Sequence, residues 1–161
     1  MAIKVGDRLP EGKFTIMGED GPKPMSASDV FSGKTVVLFA VPGAFTPTCS
    51  EQHLPGFLAN ADALKGKGVA TIACTSVNDV FVLNAWGKAR GALDDITMLA
   101  DGNGDFAKAL GLETDLSPFG LGTRSKRYAM VVEDGLVKYL AVEDSPPEHI
   151  KATAEKVLAY F

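Results

Sequence analysis

The chain reads as an α/β protein with a central mixed β-sheet covered by helices on both faces. Three observations carry that reading. Near-continuous apolar runs at 35–41, 69–74 and 96–100 have strand length and lack the polar alternation of a sheet with one wet face. Helical patterns separate these runs. The pair Asp134-Gly135 is a two-residue hairpin signal joining 128–133 to 136–142, which adds antiparallel strands late in the chain.

The elements follow in order. The Gly/Pro-rich stretch 18–24 reads as a surface loop between short N-terminal strands. Pro42 and Gly43 end the strand at 35–41. Thr46 then Pro47 reads as an N-cap and first helical residue, opening a helix over about 47–64. Pro55 should bend it by removing a backbone donor, and Gly66 and Gly68 close it. After the strand at 69–74, Asn78 can cap a helix of about 79–90, with Phe81, Ala85 and Trp86 partly lining one face. A short helix at about 104–110 follows the strand at 96–100 and stops at Gly111. The last helix, about 147–160, places Ile150, Ala154, Val157, Leu158 and Phe161 on a core-facing stripe. This βαβ, αβ, hairpin and helix order is of thioredoxin-like type.

Composition narrows the function classes. At 161 residues the chain is expected to form one domain, 1–161, able to bury a core without metal or disulfide. A net charge of −4 with no basic tract argues against nucleic-acid binding. No apolar run approaches the ~18 residues of a membrane span. The start, Met1-Ala2-Ile3-Lys4-Val5-Gly6-Asp7, has neither a signal-peptide core nor an Arg-rich transit pattern. Two cysteines in such an acidic chain suggest a reducing compartment, so the expected localisation is cytoplasmic.

Cys49 is the residue that points to chemistry. It would lie in the first turn of the helix after Pro47, where unpaired N–H groups and the positive dipole end favour an anion. A thiol attacks as its thiolate, and a free one titrates near ~8.5, so this placement suits a nucleophile better than a core cysteine. His53 lies on the same helical face, and a Cys–His nucleophile pair is one reading of it; packing or orientation is the other. A zinc site lacks ligand spacing: the cysteines and histidines fall at 49, 53, 74 and 149. Asp101-Gly102-Asn103-Gly104-Asp105 mimics the start of a calcium loop. Phe106 and Leu112 stand where that loop needs glycine and glutamate, so it reads as a turn and helix cap. No Gly-rich phosphate fingerprint appears, and no cofactor is expected. Phe45, Phe81, Trp86 and Phe119 read first as core residues.

Pro42-x-x-x-Thr46-x-x-Cys49 resembles the active-site motif of the peroxiredoxins. The longer run from Val41 to Ser50, with His53-Leu54-Pro55-Gly56-Phe57, looks like their type-five branch, which includes plant type II enzymes. Cys74-Thr75-Ser76-Val77-Asn78-Asp79 and Arg124-Ser125-Lys126-Arg127-Tyr128 continue the match across nearly the whole chain. The resemblance implies a thiol peroxidase that reduces hydrogen peroxide and alkyl hydroperoxides through a sulfenic acid on Cys49. It assigns Thr46 and nearby backbone N–H groups to the peroxide oxygens, Pro42 to shielding the thiolate, and Arg127 to the cation beside the sulfur. Arg124 is a weaker supporting candidate. His53 occurs in the family without acting as a base. The family packs loops near the site against a second subunit, so a homodimer is expected and some aromatics would be exposed in a monomer.

Cys74 ends an apolar strand and reads as a buried, inert thiol. Some type-five relatives carry a resolving cysteine near the C-terminus; here 142–161 has none. Plant type II members have a cysteine matching Cys74, so it stays a candidate resolving or accessory thiol. The reductant is then external: glutathione with glutaredoxin, or thioredoxin. A disulfide reductase is disfavoured because Ser50 to Gln52 offers no second thiol. A redox-sensing protein that relays oxidation from Cys49 to a partner would use the same residues and stays open.

Overall fold

The computed structural model describes residues 2–161. A seven-stranded mixed sheet forms its centre. The strands are β1 (Lys13–Gly18), β2 (Gly21–Ser26), β3 (Thr35–Ala40), β4 (Thr71–Ser76), β5 (Thr97–Ala100), β8 (Tyr128–Glu133) and β9 (Leu136–Val142). Their order across the sheet is β2-β1-β5-β4-β3-β8-β9. β3, β4 and β5 run parallel, and β8 pairs antiparallel with β3. A separate two-stranded ribbon joins β6 (Glu113–Asp115) to β7 (Thr123–Ser125).

The period-2 geometry of the strands makes two cores. Val37, Phe39, Ile72, Cys74, Ala129 and Val131 face one side. There they meet α2 (Leu54–Ala59), α3 (Ala61–Gly66), α4 (Val80–Ala89) and α6 (Ala154–Tyr160). Val36, Leu38, Ala40, Tyr128, Met130 and Val132 face the other side, against α1 (Ala27–Phe31) and α5 (Asp105–Leu110). Both faces of the central strands are therefore dry, which is why their sequences run apolar without alternation. Asp134 and Gly135 take φ of 48° and 79°, as the tight turn between β8 and β9 requires.

Several expectations are corrected. The stretch 18–24 is mostly strand: β2 begins at Gly21 and pairs with β1, and Pro22 and Pro24 are tolerated because β2 is an edge strand. The ladder of β4 lies at 71–76, two residues beyond the expected start. Asp79, not Asn78, caps α4, accepting from Val82 N at 2.8 Å. The buried face of α4 is Val80, Leu83, Trp86 and Gly87, while Phe81 is exposed and so is Ala85. The C-terminal helix begins at Ala154 rather than near 147. Its expected start runs through turns and bends instead, because the Glu143 carboxylate takes the N–H groups of Ile150, Lys151 and Ala152 away from helical bonding. Ile150 and Phe161 consequently leave the core stripe.

The acidic loop after β5 behaves as a cap. Asp101 is buried and accepts from Phe106 N at 3.0 Å and Ala107 N at 2.9 Å. Asp101→Ala would orphan two donors at the start of α5. We expect a loss of about 1–3 kcal/mol in urea unfolding, with Asp101→Asn losing less because one acceptor remains. Equal stability of Asp101→Ala and the parent would exclude the capping role.

Candidate active site

The site forms where β3, β4 and β8 meet. Ala40 pairs with Tyr128, so the end of β3 lies beside the start of β8. This register sets Arg127 next to the loop that follows β3. Cys49 sits in the first turn of the helix opening at Pro47, and the first backbone bond of that helix runs from Ser50 N to Thr46 O at 2.9 Å. The N–H groups of Thr48 and Cys49 precede that bond. Cys49–His53 is a single π-helical turn, with Leu54 N bonded to Cys49 O. The widened turn stacks Cys49 and His53 on the buried side of the helix and leads into Pro55, which has no N–H to place. The expected helix over 47–64 is thus segmented, with a further break at Asn60.

Arg127 is 2 % exposed, and its guanidinium has a partner on every nitrogen. Nη2 donates to Cys49 Sγ at 3.2 Å and to Pro146 O at 3.1 Å. Nε reaches Pro146 O at 3.4 Å, and Nη1 donates to His53 Nδ1 at 3.0 Å. None of those partners is a carboxylate. The positive charge therefore faces the sulfur without an acid neutralising it.

His53 is the orienting group. Its Nε2–H donates to Ala152 O at 2.9 Å, which leaves Nδ1 free to accept from Arg127. Burial holds the ring well below its ordinary value of 6.5, and the Arg127 charge adds to this, followed by His149; the Ala152 hydrogen bond opposes them. Of the two sequence readings, orientation is the one the geometry supports. His53 contacts Arg127 and its ring packs on Phe39 and Phe57, at centroid distances of 5.0 and 5.5 Å.

The Thr46 hydroxyl does not cap the helix as expected. It donates to Gly43 O at 2.6 Å, because the turn 43–46 brings that carbonyl within reach. With its proton committed, the oxygen presents lone pairs. Phe45 in this turn has a φ of 65°, a conformation unfavourable for a side chain of its kind. Asn78 holds the turn by accepting from Ala44 N at 2.9 Å. Its positioning role was missed in the sequence reading; the available signal was its place just after β4, at the carboxyl ends of the parallel strands. Ser50 is a second residue not singled out: its hydroxyl accepts from Trp86 Nε1 at 2.9 Å and anchors the Cys49 turn to α4.

A pocket of about 450 Å³ borders the turn that carries Cys49. Pro42, Thr46 and Arg127 line it, with Leu116, Phe119 and Pro146 among its other walls. Cys49 is fully buried and does not itself line the pocket; Arg127 is the wall residue that contacts it. Arg124 stands outside the lining and packs behind the loop, donating to Leu121 O at 2.9 Å and to Pro42 O at 3.4 Å. Cys74 is fully buried in the middle of the sheet, paired with Phe39 and Met98. Burial pushes its thiol well above the ordinary range, and the nearby Cys49 adds to this. Phe45, Phe81 and Phe119 are exposed, whereas Trp86 is core.

A family model described as Redoxin matches residues 4–158. Peroxiredoxin-2C of Oryza sativa subsp. japonica is 47% identical over 157 residues, covering 97% of this chain and 96% of that protein. The chain belongs to the peroxiredoxin family. Among peroxiredoxins, the chloroplastic Peroxiredoxin-2E of Arabidopsis thaliana is 48% identical over 147 residues; the match covers 89% of this chain and 63% of that longer protein. The crystal structure of reduced Prx3 from Vibrio vulnificus in complex with H2O2 superposes with a TM-score of 0.93 at 51% identity, covering 98% of each chain. The thioredoxin-like architecture of the family is the one described above. No helix among the described residues is long and apolar enough to cross a membrane.

The buried histidine makes stability pH-dependent. Below about pH 6.5 the unfolded chain binds a proton at this imidazole and the folded chain does not, so stability falls as pH falls. The slope for one such group approaches about 1.4 kcal/mol per pH unit. His149, lowered by burial and then by Arg127, acts in the same direction. Urea unfolding between pH 7.5 and 5 should show the decline, and His53→Gln should flatten it. An unchanged slope in that variant would place the acid sensitivity elsewhere.

Proposed function

We propose that this chain is a thiol peroxidase of the type-five peroxiredoxin branch, reducing hydrogen peroxide and small alkyl hydroperoxides. The contact of Arg127 Nη2 with Cys49 Sγ at 3.2 Å, where Arg127 also lines an apolar pocket, carries the proposal. The Cys49 thiolate attacks one peroxide oxygen in line with the O–O bond. An S–O bond forms, the O–O bond breaks, and hydroxide or alkoxide departs and takes up a proton. The sulfur becomes a sulfenic acid and the peroxide is reduced by two electrons. Thr46 accepts the peroxide O–H, since its own proton is held by Gly43 O. Arg127 and the N–H groups of Thr48 and Cys49 stabilise negative charge passing across the two oxygens. Pro42 keeps water from the sulfur. The H2O2 bound to the Vibrio vulnificus relative supports this substrate.

An external thiol then attacks the sulfenic sulfur and expels water. Glutathione with glutaredoxin, or thioredoxin, fits this step, and no cofactor is required. Cys74 is a poor resolving thiol because it is buried within the sheet. The exposed Phe45 and Phe119 beside the pocket favour a homodimer covering them. A relay from Cys49 to a protein partner is the second reading; it rests on the same sulfur and predicts stable mixed disulfides in place of turnover.

Stopped-flow peroxide consumption tests the roles. Cys49→Ser should abolish the reaction with the fold intact. Thr46→Val and Arg127→Gln should each slow Cys49 oxidation on the order of a hundredfold. A wild-type rate in either variant would remove its assigned part. Cys74→Ser should keep most turnover with glutathione and glutaredoxin, and mass spectrometry after one equivalent of peroxide should show Cys49 sulfenic acid or its glutathione adduct. A dominant Cys49–Cys74 disulfide, with Cys74→Ser inactive under every reductant, would make this a two-cysteine enzyme.

A further inference from the structure

Glu143 follows β9 and is 4 % exposed, yet no lysine, arginine or histidine forms an ion pair with it among the described residues. A buried carboxylate is costly unless its charge is met by donors. Here one oxygen collects three backbone donors. Oε2 accepts from Ile150 N at 2.9 Å, Lys151 N at 2.7 Å and Ala152 N at 2.7 Å. The other oxygen, Oε1, is buried with no hydrogen-bond partner. The same residue's backbone N–H donates to Arg127 O at 2.9 Å.

The segment pinned in this way carries two carbonyls that the site uses. Pro146 O receives Nε and Nη2 of Arg127. Ala152 O receives His53 Nε2–H, and its own N–H is one of the three on Glu143. With Ala152 O held, His53 keeps Nδ1 as an acceptor for Arg127 Nη1. Two routes therefore run from one carboxylate to the guanidinium that touches the sulfur.

We propose that Glu143 is a positioning residue for peroxide reduction: by gathering the N–H groups of residues 150–152 it fixes the loop whose carbonyls at Pro146 and Ala152 aim Arg127 at Cys49. It touches neither the sulfur nor the pocket floor. The proposal rests on the peroxidase reading above, and the roles separate cleanly in experiment. Misplacing an orienting group by a fraction of an ångström weakens every interaction the transition state makes with it.

The test follows Cys49 oxidation by H2O2 through the fluorescence of Trp86, the sole tryptophan, which is bonded to Ser50 next to the reacting cysteine. Glu143→Ala should lower the second-order rate about tenfold. Glu143→Gln, which keeps an acceptor for the three donors and places its amide where Oε1 has no partner, should stay within about threefold of wild type. In the Arg127→Gln background Glu143→Ala should cost less than about twofold, because the group it acts through is gone. Full additivity in that cycle, or a folded Glu143→Ala with the wild-type rate, overturns the proposal. Should Glu143→Ala fail to fold, Glu143→Asp, whose carboxylate stops one methylene short, carries the same comparison. A second readout needs no peroxide: ¹⁵N shifts of His53 should report the Nε2–H tautomer in wild type and tautomer averaging in Glu143→Ala. An unchanged His53 spectrum in that variant also overturns it. A wild-type protein inert to H2O2 would instead remove the peroxidase reading, leaving the histidine spectrum to judge the role of Glu143.

Discussion

A buried guanidinium whose protein partners are all neutral is the constraint on which this site depends. Taking a cation out of water is expensive, and folds usually meet the cost with a carboxylate. Arg127 instead rests on a neutral imidazole and a peptide carbonyl, so its remaining unsatisfied charge looks toward Cys49 Sγ. An acid in that position would quench the field on the sulfur. The surrounding structure supplies hydrogen bonds in number and puts no carboxylate in hydrogen-bond contact with the guanidinium.

The rest of the architecture keeps that contact in register. The antiparallel pairing of β3 with β8 brings Arg127 to a sulfur 78 positions away in the chain. The parallel pairing of β3 with β4 brings Asn78 under the Gly43–Thr46 turn. The π-helical turn at Cys49–His53 lets one helix present both the nucleophile and the residue that orients its cation. Each device sits at the edge of a doubly covered sheet, and two of them use uncommon backbone: the π-helical turn and the left-handed Phe45. Such a base is suited to holding a small substrate, which has few atoms by which to be oriented.

Much of the fold was legible because its signals are local. Apolar runs without alternation mark strands buried on both faces, Asp134-Gly135 marks the hairpin, and Gly111 marks a helix end. The misreadings occurred where a distant group competed for local backbone donors or space. The stripe at Ile150 looked helical until Glu143 took the N–H groups of that segment. Asn78 looked like a cap until the turn after β3 claimed its side chain. Thr46 looked like a cap by its hydroxyl, and the Gly43 carbonyl claimed that proton.

By itself the sequence determined Cys49 as the candidate nucleophile, its place in the first turn of a helix, the strands beneath it and the motif around it. These depend on residues close along the chain, where propensity, capping chemistry and periodicity act. Only the tertiary structure set the Arg127 guanidinium 3.2 Å from the sulfur, placed the His53 ring between Arg127 and the Ala152 carbonyl, and joined Glu143 to the segment that carries that carbonyl. Those outcomes depend on strand register and on which buried donor finds which acceptor. Both are settled when distant segments pack together and the cost of leaving a polar group unpaired selects among otherwise similar arrangements.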